Sequence, residues 1–276
     1  AIPSYPSIMS QAGAENFPVA SRLLPAGQRR QLLAIYGVAR LIDDVGDEAP
    51  GDRGQLLDWL DAELTRVSSG SPPEHPAMRA LAAAWPGGPP PVTPFRALIQ
   101  ANRQDQEVRR YDTFEQLLGY CRLSAAPVGE LVLEVFAAAT PARLALSEQV
   151  CAGLQVVEHI QDVAEDYRRG RIYLPHVDME RFGCRETDLA GPTVTAELRA
   201  LLAFESERAR ALLAAGPTLA RSLDPRPRLA VACFVAGGRA ALDGLARASY
   251  DVLNAPPPRG SRREFARALV RAVLGR

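Results

Sequence analysis

Apolar residues recur at spacings of three and four along almost the whole chain, and this regularity constrains the fold more than any other feature. It runs through residues 27–42, 53–67, 95–108, 113–137, 143–168, 195–215, 226–250 and 262–274, the period of a helix with one buried face. Alanine and leucine dominate these stretches, and the alternation of β-branched and aromatic residues that marks strands is scarce. Proline and glycine gather at 70–76, 86–94 and 255–260, which reads as loops. Asp112-Thr113 and Ser147 suit helix starts, and Pro127 breaks or kinks the 113–137 stretch. No repeat of solenoid period and no shift in composition divides the chain. The expectation is all-α: a single domain over 1–276 with about eight longer helices, the last of them at about 261–275.

Charge narrows the function. The 276 residues carry 32 basic and 32 acidic side chains, and every basic one is arginine. Without lysine there is no Schiff base, P-loop lysine or lysine general base. Without a net basic balance the chain does not read as a nucleic-acid binder. No run of 18 apolar residues predicts a transmembrane helix. The first 30 residues, with Glu15 among them, do not read as a signal peptide. Cys121, Cys151, Cys184 and Cys233 are too dispersed for a metal cage, and read as buried thiols of a cytoplasmic protein. His75, His159 and His176 are equally scattered.

Two segments carry unusual chemistry. In Tyr36–Glu48, helical spacing puts Arg40, Asp43, Asp44 and Asp47 on one face of an otherwise apolar helix. In Leu154–Pro175, Gln155, Glu158, Asp162 and Asp166 step along a second face, with Leu154, Val157, Ile160 and Ala164 elsewhere around the helix. Carboxylates crowded together repel unless a cation joins them. Oxygen-only ligands select a hard ion such as Mg²⁺, which keeps waters and accepts substrate phosphates. Two such helices facing each other would hold two or three Mg²⁺ around a diphosphate, with Arg40 and Arg171 clamping its remaining oxygens. Acids four apart also occur on ordinary solvated faces.

The stretches 34–48 (AIYGVARLIDDVGDE), 120–133 (YCRLSAAPVGELVL) and 154–175 (LQVVEHIQDVAEDYRRGRIYLP) resemble the squalene/phytoene synthase family. RQDQEVRRYDTF (103–114) and GRAALDGLARASYDVL (238–253) also match its pattern, so the resemblance spans about 12–255. It implies a class I isoprenoid synthase bundle around a central cavity. Asp43 and Asp47 match the first metal motif, and Asp162 and Asp166 the second. Tyr36, Arg40 and Gln155 match substrate or diphosphate positions, and Tyr120, Val128 and Gly129 the wall of a prenyl tunnel. Arg171 and Tyr173 match a diphosphate-contacting RxYLP element, Asp105 an acidic position, and Arg239 and Tyr250 a late helix that closes the site.

GAENFPVASRLLP (13–25) with the 164–175 segment is most similar to the hydroxysqualene synthase branch of bacterial hopanoid biosynthesis. That branch implies ionisation of presqualene diphosphate and capture of the cation by water. Two positions depart from the wider family. Glu158 replaces an asparagine metal ligand, and Gly13–Phe17 replaces a His-Ser-Lys-Ser-Phe-like segment; Asn16 can still donate to a phosphate there, with Phe17 beside it. Glu158 adds a negative charge that weakens or tightens metal binding, and the change in the entry segment favours a substrate with one diphosphate. No GxGxxG follows a strand, so NADPH is not expected.

Other readings stay open: condensation of two farnesyl diphosphates to presqualene diphosphate, a carotenoid-type synthase, a terpene cyclase, or a helical binding protein without turnover. His159 reads as a core histidine, and Glu165 with Arg169 as a surface pair. Arg263, Arg267 and Arg271 form a stripe on the last helix, which docks on the domain or touches the inner face of the membrane. Other hopanoid-pathway enzymes are the natural protein partners.

Overall fold

The computed structural model describes residues 2–11 and 24–254. Asn16, Phe17 and the 261–275 helix lie outside them. The described residues form helices α1 (Tyr5–Gln11), α2 (Ala26–Asp47), α3 (Arg53–Ser69), α4 (Pro76–Ala84), α5 (Thr93–Glu107), α6 (Phe114–Ser124) and α7 (Ala126–Val135). There follow α8 (Pro141–Gln161), α9 (Val163–Arg168), α10 (His176–Phe182), a 3₁₀ turn (Glu186–Ala190), α11 (Ala196–Leu213), α12 (Gly216–Arg221) and α13 (Pro225–Arg247). The all-α expectation holds: β-pairing among the described residues is one isolated bridge, Arg110 to Ile172. The chain divides into two compact units, Ala1–Glu107 with Leu123–Thr140, and Val108–Arg122 with Pro141–Arg276.

In the first unit α2 is the central helix. Leu32, Ile35, Val38, Leu41, Ile42 and Val45 are buried along it, packed with Leu57, Leu60 and Leu64 of α3, Met78 and Leu81 of α4, and Phe95, Leu98 and Ile99 of α5. Each such side chain stabilises by about 1.5–3 kcal/mol through lost apolar surface. The Asp52 side chain caps α3 by accepting from the Gln55 N–H. α4 lies in a stretch too short and proline-rich to read as helix from sequence. Its start is built by Glu63, whose buried carboxylate accepts from the N–H groups of Glu74 and His75 at 2.7 and 2.8 Å. His75 Nδ1 then accepts from the Ala77 N–H at 3.2 Å, and Pro76 fits the first turn. As Pro127 implied, the 113–137 stretch is two helices, α6 and α7, parted at Ala125.

In the second unit α8 packs against α11, α12 and α13. Gly153 allows a close approach to α11: a Cβ there would stand 3.0–3.2 Å from Leu213, Leu212 and the Ala209 carbonyl. α13 is long and apolar enough to cross a membrane by length and composition, yet half of that stretch is buried inside the protein. Its Val231, Val235 and Leu242 are core residues. The helix expected to reach residue 250 ends at Arg247, where Ser249 and Tyr250 take left-handed backbone angles.

Candidate active site

The first acidic segment is the C-terminal end of α2. Asp44 is buried and paired with Arg40, whose Nε lies 2.8 Å from Oδ1. Asp43 has a neutral partner instead. Asn102 Nδ2 of α5 donates to Asp43 Oδ1 at 3.3 Å and to the Leu98 carbonyl at 3.1 Å. One turn on, Gln106 Nε2 donates to the carbonyls of Gly46 (3.1 Å) and Asn102 (2.9 Å). Asp43 is reached by solvent yet ringed by protein, so its carboxylate is poorly hydrated. That burial pushes its pKa up to about 7, with the Asp47 and Asp44 charges adding and the Asn102 hydrogen bond and Arg40 opposing.

The second segment spans the end of α8 and all of α9. The long helix expected over 143–168 bends at Asp162, whose backbone sits at φ −100°, ψ 12°. Its hydrogen bonds nonetheless carry through. The Asp162 N–H donates to the Glu158 carbonyl at 2.9 Å and the Asp166 N–H to the Asp162 carbonyl at 2.8 Å. Glu158, Asp162 and Asp166 therefore follow one another at single-turn intervals. Asp162 is exposed, yet the protein packed around its carboxyl displaces enough water to raise it to about 6, with the Asp166 and Glu165 charges adding.

Beneath these acids lies an aromatic stack. The His159 ring lies 3.9 Å from that of Tyr173, nearly parallel, and Tyr173 is 5.8 Å from Tyr111 and 5.4 Å from Tyr120. His159 is thus the core residue its sequence suggested, with Nδ1 3.9 Å from the Asp166 carboxylate. The 170–175 strap is tied down by the Ile172 N–H to the Arg109 carbonyl (2.9 Å) and the His176 N–H to the Tyr111 carbonyl (2.9 Å). Arg110 closes it from outside, bonding both Glu186 carboxylate oxygens and the Gly170 carbonyl.

Of the expected site residues, the first unit holds Tyr36, Arg40, Asp43, Asp47, Asp105, Val128 and Gly129. Asp105 is buried, Tyr36 and Gly129 are half-buried, and Val128 is exposed on α7. The second unit holds Tyr120, Gln155, Glu158, Asp162, Asp166, Arg171, Tyr173, Arg239 and Tyr250. Tyr120, Arg171 and Tyr173 are buried, Gln155 and Glu158 half-buried. Arg239 Nη2 donates to the Leu213 carbonyl at 3.4 Å. Tyr250 lies past the end of α13, not on it. Asn102, Gln106 and Gly46 were not read from the sequence. Their signal was present: Phe95, Leu98, Ile99 and Asn102 share one helical stripe, so an amide sits where the pattern calls for an apolar residue.

Among the described residues no three His, Cys, Asp or Glu side chains form a ready metal cage. The donor set nonetheless fits Mg²⁺, which takes one or two carboxylates and completes its shell with water and phosphate oxygens. Asp43 lies beside Asp47, and Asp162 beside Asp166; poor hydration first, and the neighbouring negative charge after it, raise Asp43 and Asp162, and a divalent cation would relieve that repulsion.

The squalene/phytoene synthase family model matches residues 10–265. A phytoene synthase of Mycobacterium bovis is 33% identical over 254 residues, 90% of this chain and 80% of that protein. A hydroxysqualene synthase of Rhodopseudomonas palustris is 36% identical over 213 residues, 76% of this chain and 71% of that one. Among solved structures, squalene synthase HpnC of Alicyclobacillus acidocaldarius superposes with a TM-score of 0.80 at 39% identity, covering 88% of this chain and 92% of that one. With its two acidic segments carried on an all-α fold of this type, the chain belongs to the squalene/phytoene synthase family of prenyl diphosphate-using enzymes.

Proposed function

We propose that this enzyme is a hydroxysqualene synthase acting on presqualene diphosphate with Mg²⁺ and without NADPH. The reading treats residues 1–276 as one functional domain, since the family match runs through both units. One observation carries it: arginines beside the acidic segments are already engaged by carboxylates. Arg40 is taken by Asp44 and Arg169 by Glu165, each at 2.8 Å. Glu158 adds negative charge where the wider family has asparagine, and no lysine supplies more positive charge. Such a balance suits a substrate carrying one diphosphate better than two substrates bringing two. The Rhodopseudomonas relative's name agrees, while the mycobacterial relative's name marks the rival.

Each segment would hold metal with its own acids: Asp43 and Asp47 in the first unit, and Glu158, Asp162 and Asp166 in the second. When bound, Mg²⁺ supplies Lewis-acid neutralisation of the departing diphosphate. The chain's own residues do the rest. Arg171 stands at the matched diphosphate position. Tyr120 stands at the matched tunnel-wall position, and Tyr173, stacked on His159, stiffens the strap that carries Arg171. The carbon–oxygen bond to diphosphate breaks with its electron pair leaving on oxygen, and the cyclopropylcarbinyl cation rearranges. A water oxygen bonds to the resulting carbon and loses a proton, so presqualene diphosphate and water become a C30 alcohol and diphosphate.

The test is product analysis with presqualene, farnesyl and geranylgeranyl diphosphates in turn, with Mg²⁺ and no NADPH. A C30 alcohol from presqualene diphosphate, carrying ¹⁸O from labelled water, is expected. Presqualene diphosphate as the end product from farnesyl diphosphate, dehydrosqualene, or phytoene from geranylgeranyl diphosphate would each overturn the reading in favour of a sister activity.

A further inference from the structure

We infer that Asn102 is a positioning residue for Asp43, and that Gly46 is the gap that admits it. The inference rests on the proposal that Asp43 holds metal. Asn102 is only 7% exposed, and its amide nitrogen reaches Asp43 and the Leu98 carbonyl together. A nitrogen so anchored has one direction left for its second hydrogen, and that direction fixes the Asp43 carboxylate. The amide lies directly over Gly46. A Cβ there would stand 1.8 Å from Asn102 Oδ1, 2.6 Å from Cγ and 2.9 Å from Cβ. The last two atoms are close to the Asn102 backbone, so no rotamer change clears them all. Gln106 then bridges the Gly46 and Asn102 carbonyls and holds α5 in register against α2.

The choice of an amide has chemical meaning. Neighbouring Asp44 is paired with the Arg40 cation, which cancels its charge in the protein interior. Asp43 is held by a neutral donor, which aims the carboxyl without placing a paired cation where a metal would sit. Two adjacent aspartates are thereby given different work: Asp44 anchors the helix end, and Asp43 is kept aimed and available. Partners that orient a metal-binding carboxylate are commonly worth roughly 10- to 100-fold in metal affinity.

Mn²⁺ binding to the full-length enzyme, followed by EPR with inorganic diphosphate present, tests this without turnover. Asn102→Ala should weaken Mn²⁺ binding by about tenfold, and Gly46→Ala, which displaces the same amide, should do likewise. The Gly46→Ala/Asn102→Ala double variant should bind no more weakly than the worse single variant, since both act on one contact. Gly46→Ala should also lower Tm by about 5 °C, and the double variant should regain part of that shift. Circular dichroism confirms folding, and Asn102→Ala, a mild helix substitution, decides alone if Gly46→Ala does not fold. If Asp43→Asn weakens Mn²⁺ binding but Asn102→Ala does not, the positioning role is overturned and Asp43 keeps its metal. If Asp43→Asn leaves binding intact, the metal reading fails and the positioning role falls with it.

Discussion

The two acidic segments place the same kind of side chain on different supports. At the end of α2 the helix is unbroken, and the work of placement is done from outside, by amides of α5 and by diverting Arg40 to Asp44. At the α8–α9 junction the helix bends at Asp162, and placement comes from within. Backbone hydrogen bonds keep Glu158, Asp162 and Asp166 one turn apart, while His159 and Tyr173 stack beneath. The first segment therefore depends on a close helix–helix contact with a glycine at its centre. The second depends on a local bend and a rigid aromatic floor. A carboxylate that must stay charged cannot be fixed by burial alone, so each segment borrows rigidity from a neutral group: an amide in one, rings in the other.

Despite this difference the two should be equally indispensable, and that is the largest effect expected. Asp43→Asn and Asp162→Asn each remove one charge at nearly constant volume. Losing a metal-holding carboxylate forfeits several kcal/mol of stabilisation for the leaving diphosphate, on the order of a thousandfold in kcat. Steady-state diphosphate release, with circular dichroism to confirm folding, measures both. A large loss in one variant and a loss under tenfold in the other would break the symmetry and leave one segment structural.

The parts of this site that are legible in the sequence are those with a period. Helical spacing gave the all-α class, the extent of α2, and the alignment of Glu158, Asp162 and Asp166. The Pro127 break between α6 and α7 was legible because proline cannot donate within a helix. What was not legible depends on contacts between distant residues. α4 starts in a proline-rich stretch because Glu63, eleven residues upstream of Glu74, accepts its N–H groups. Asn102 orients Asp43 across 59 residues of sequence. The pairing of Arg40 with Asp44 was only half legible, because spacing puts Asp43, Asp44 and Asp47 all within its reach and the fold selects Asp44. The short helices α10 and α12 were missed because seven and six residues are too few for periodicity to register.

A smaller effect separates the two segments by pH. The folded protein holds Asp43 at about 7 and Asp162 at about 6, both above the ordinary aspartate value of 3.8. A raised carboxyl binds its proton more tightly when folded. Stability is therefore highest below the ordinary pKa, falls as pH rises through the raised one, and levels off above it. Glu205, buried between Asp178 and Arg208, is also raised to about 7 and gives the same slope, so the aspartates must be read by difference. In metal-free buffer the Tm of Asp43→Asn minus that of the parent should climb between pH 4 and 7. For Asp162→Asn the climb should finish about one unit lower. Mg²⁺ with inorganic diphosphate should stabilise the parent more at pH 7.5 than at pH 5.5, because protons then compete less. A difference that fell with rising pH would contradict the burial of these carboxyls.

The smallest expected effect lies beside the second segment. Glu165 and Arg169 form a 2.8 Å pair at i,i+4 spacing, with side chains 50% and 41% exposed. Water screens such a pair, and its formation costs side-chain freedom, so it contributes about 0.3–0.5 kcal/mol. Glu165 stands one position before Asp166, and its carboxylate is engaged by Arg169. Glu165→Ala should therefore shift Tm by no more than about 2 °C and leave kcat within about twofold. Because its charge also helps raise Asp162, the same variant should draw the Asp162 titration downward. Measuring Tm against pH for Glu165→Ala and for Glu165→Ala/Asp162→Asn would show this as a slope present only where Asp162 remains. A large loss of kcat would instead place Glu165 among the acids proposed to hold metal and extend the row by one residue.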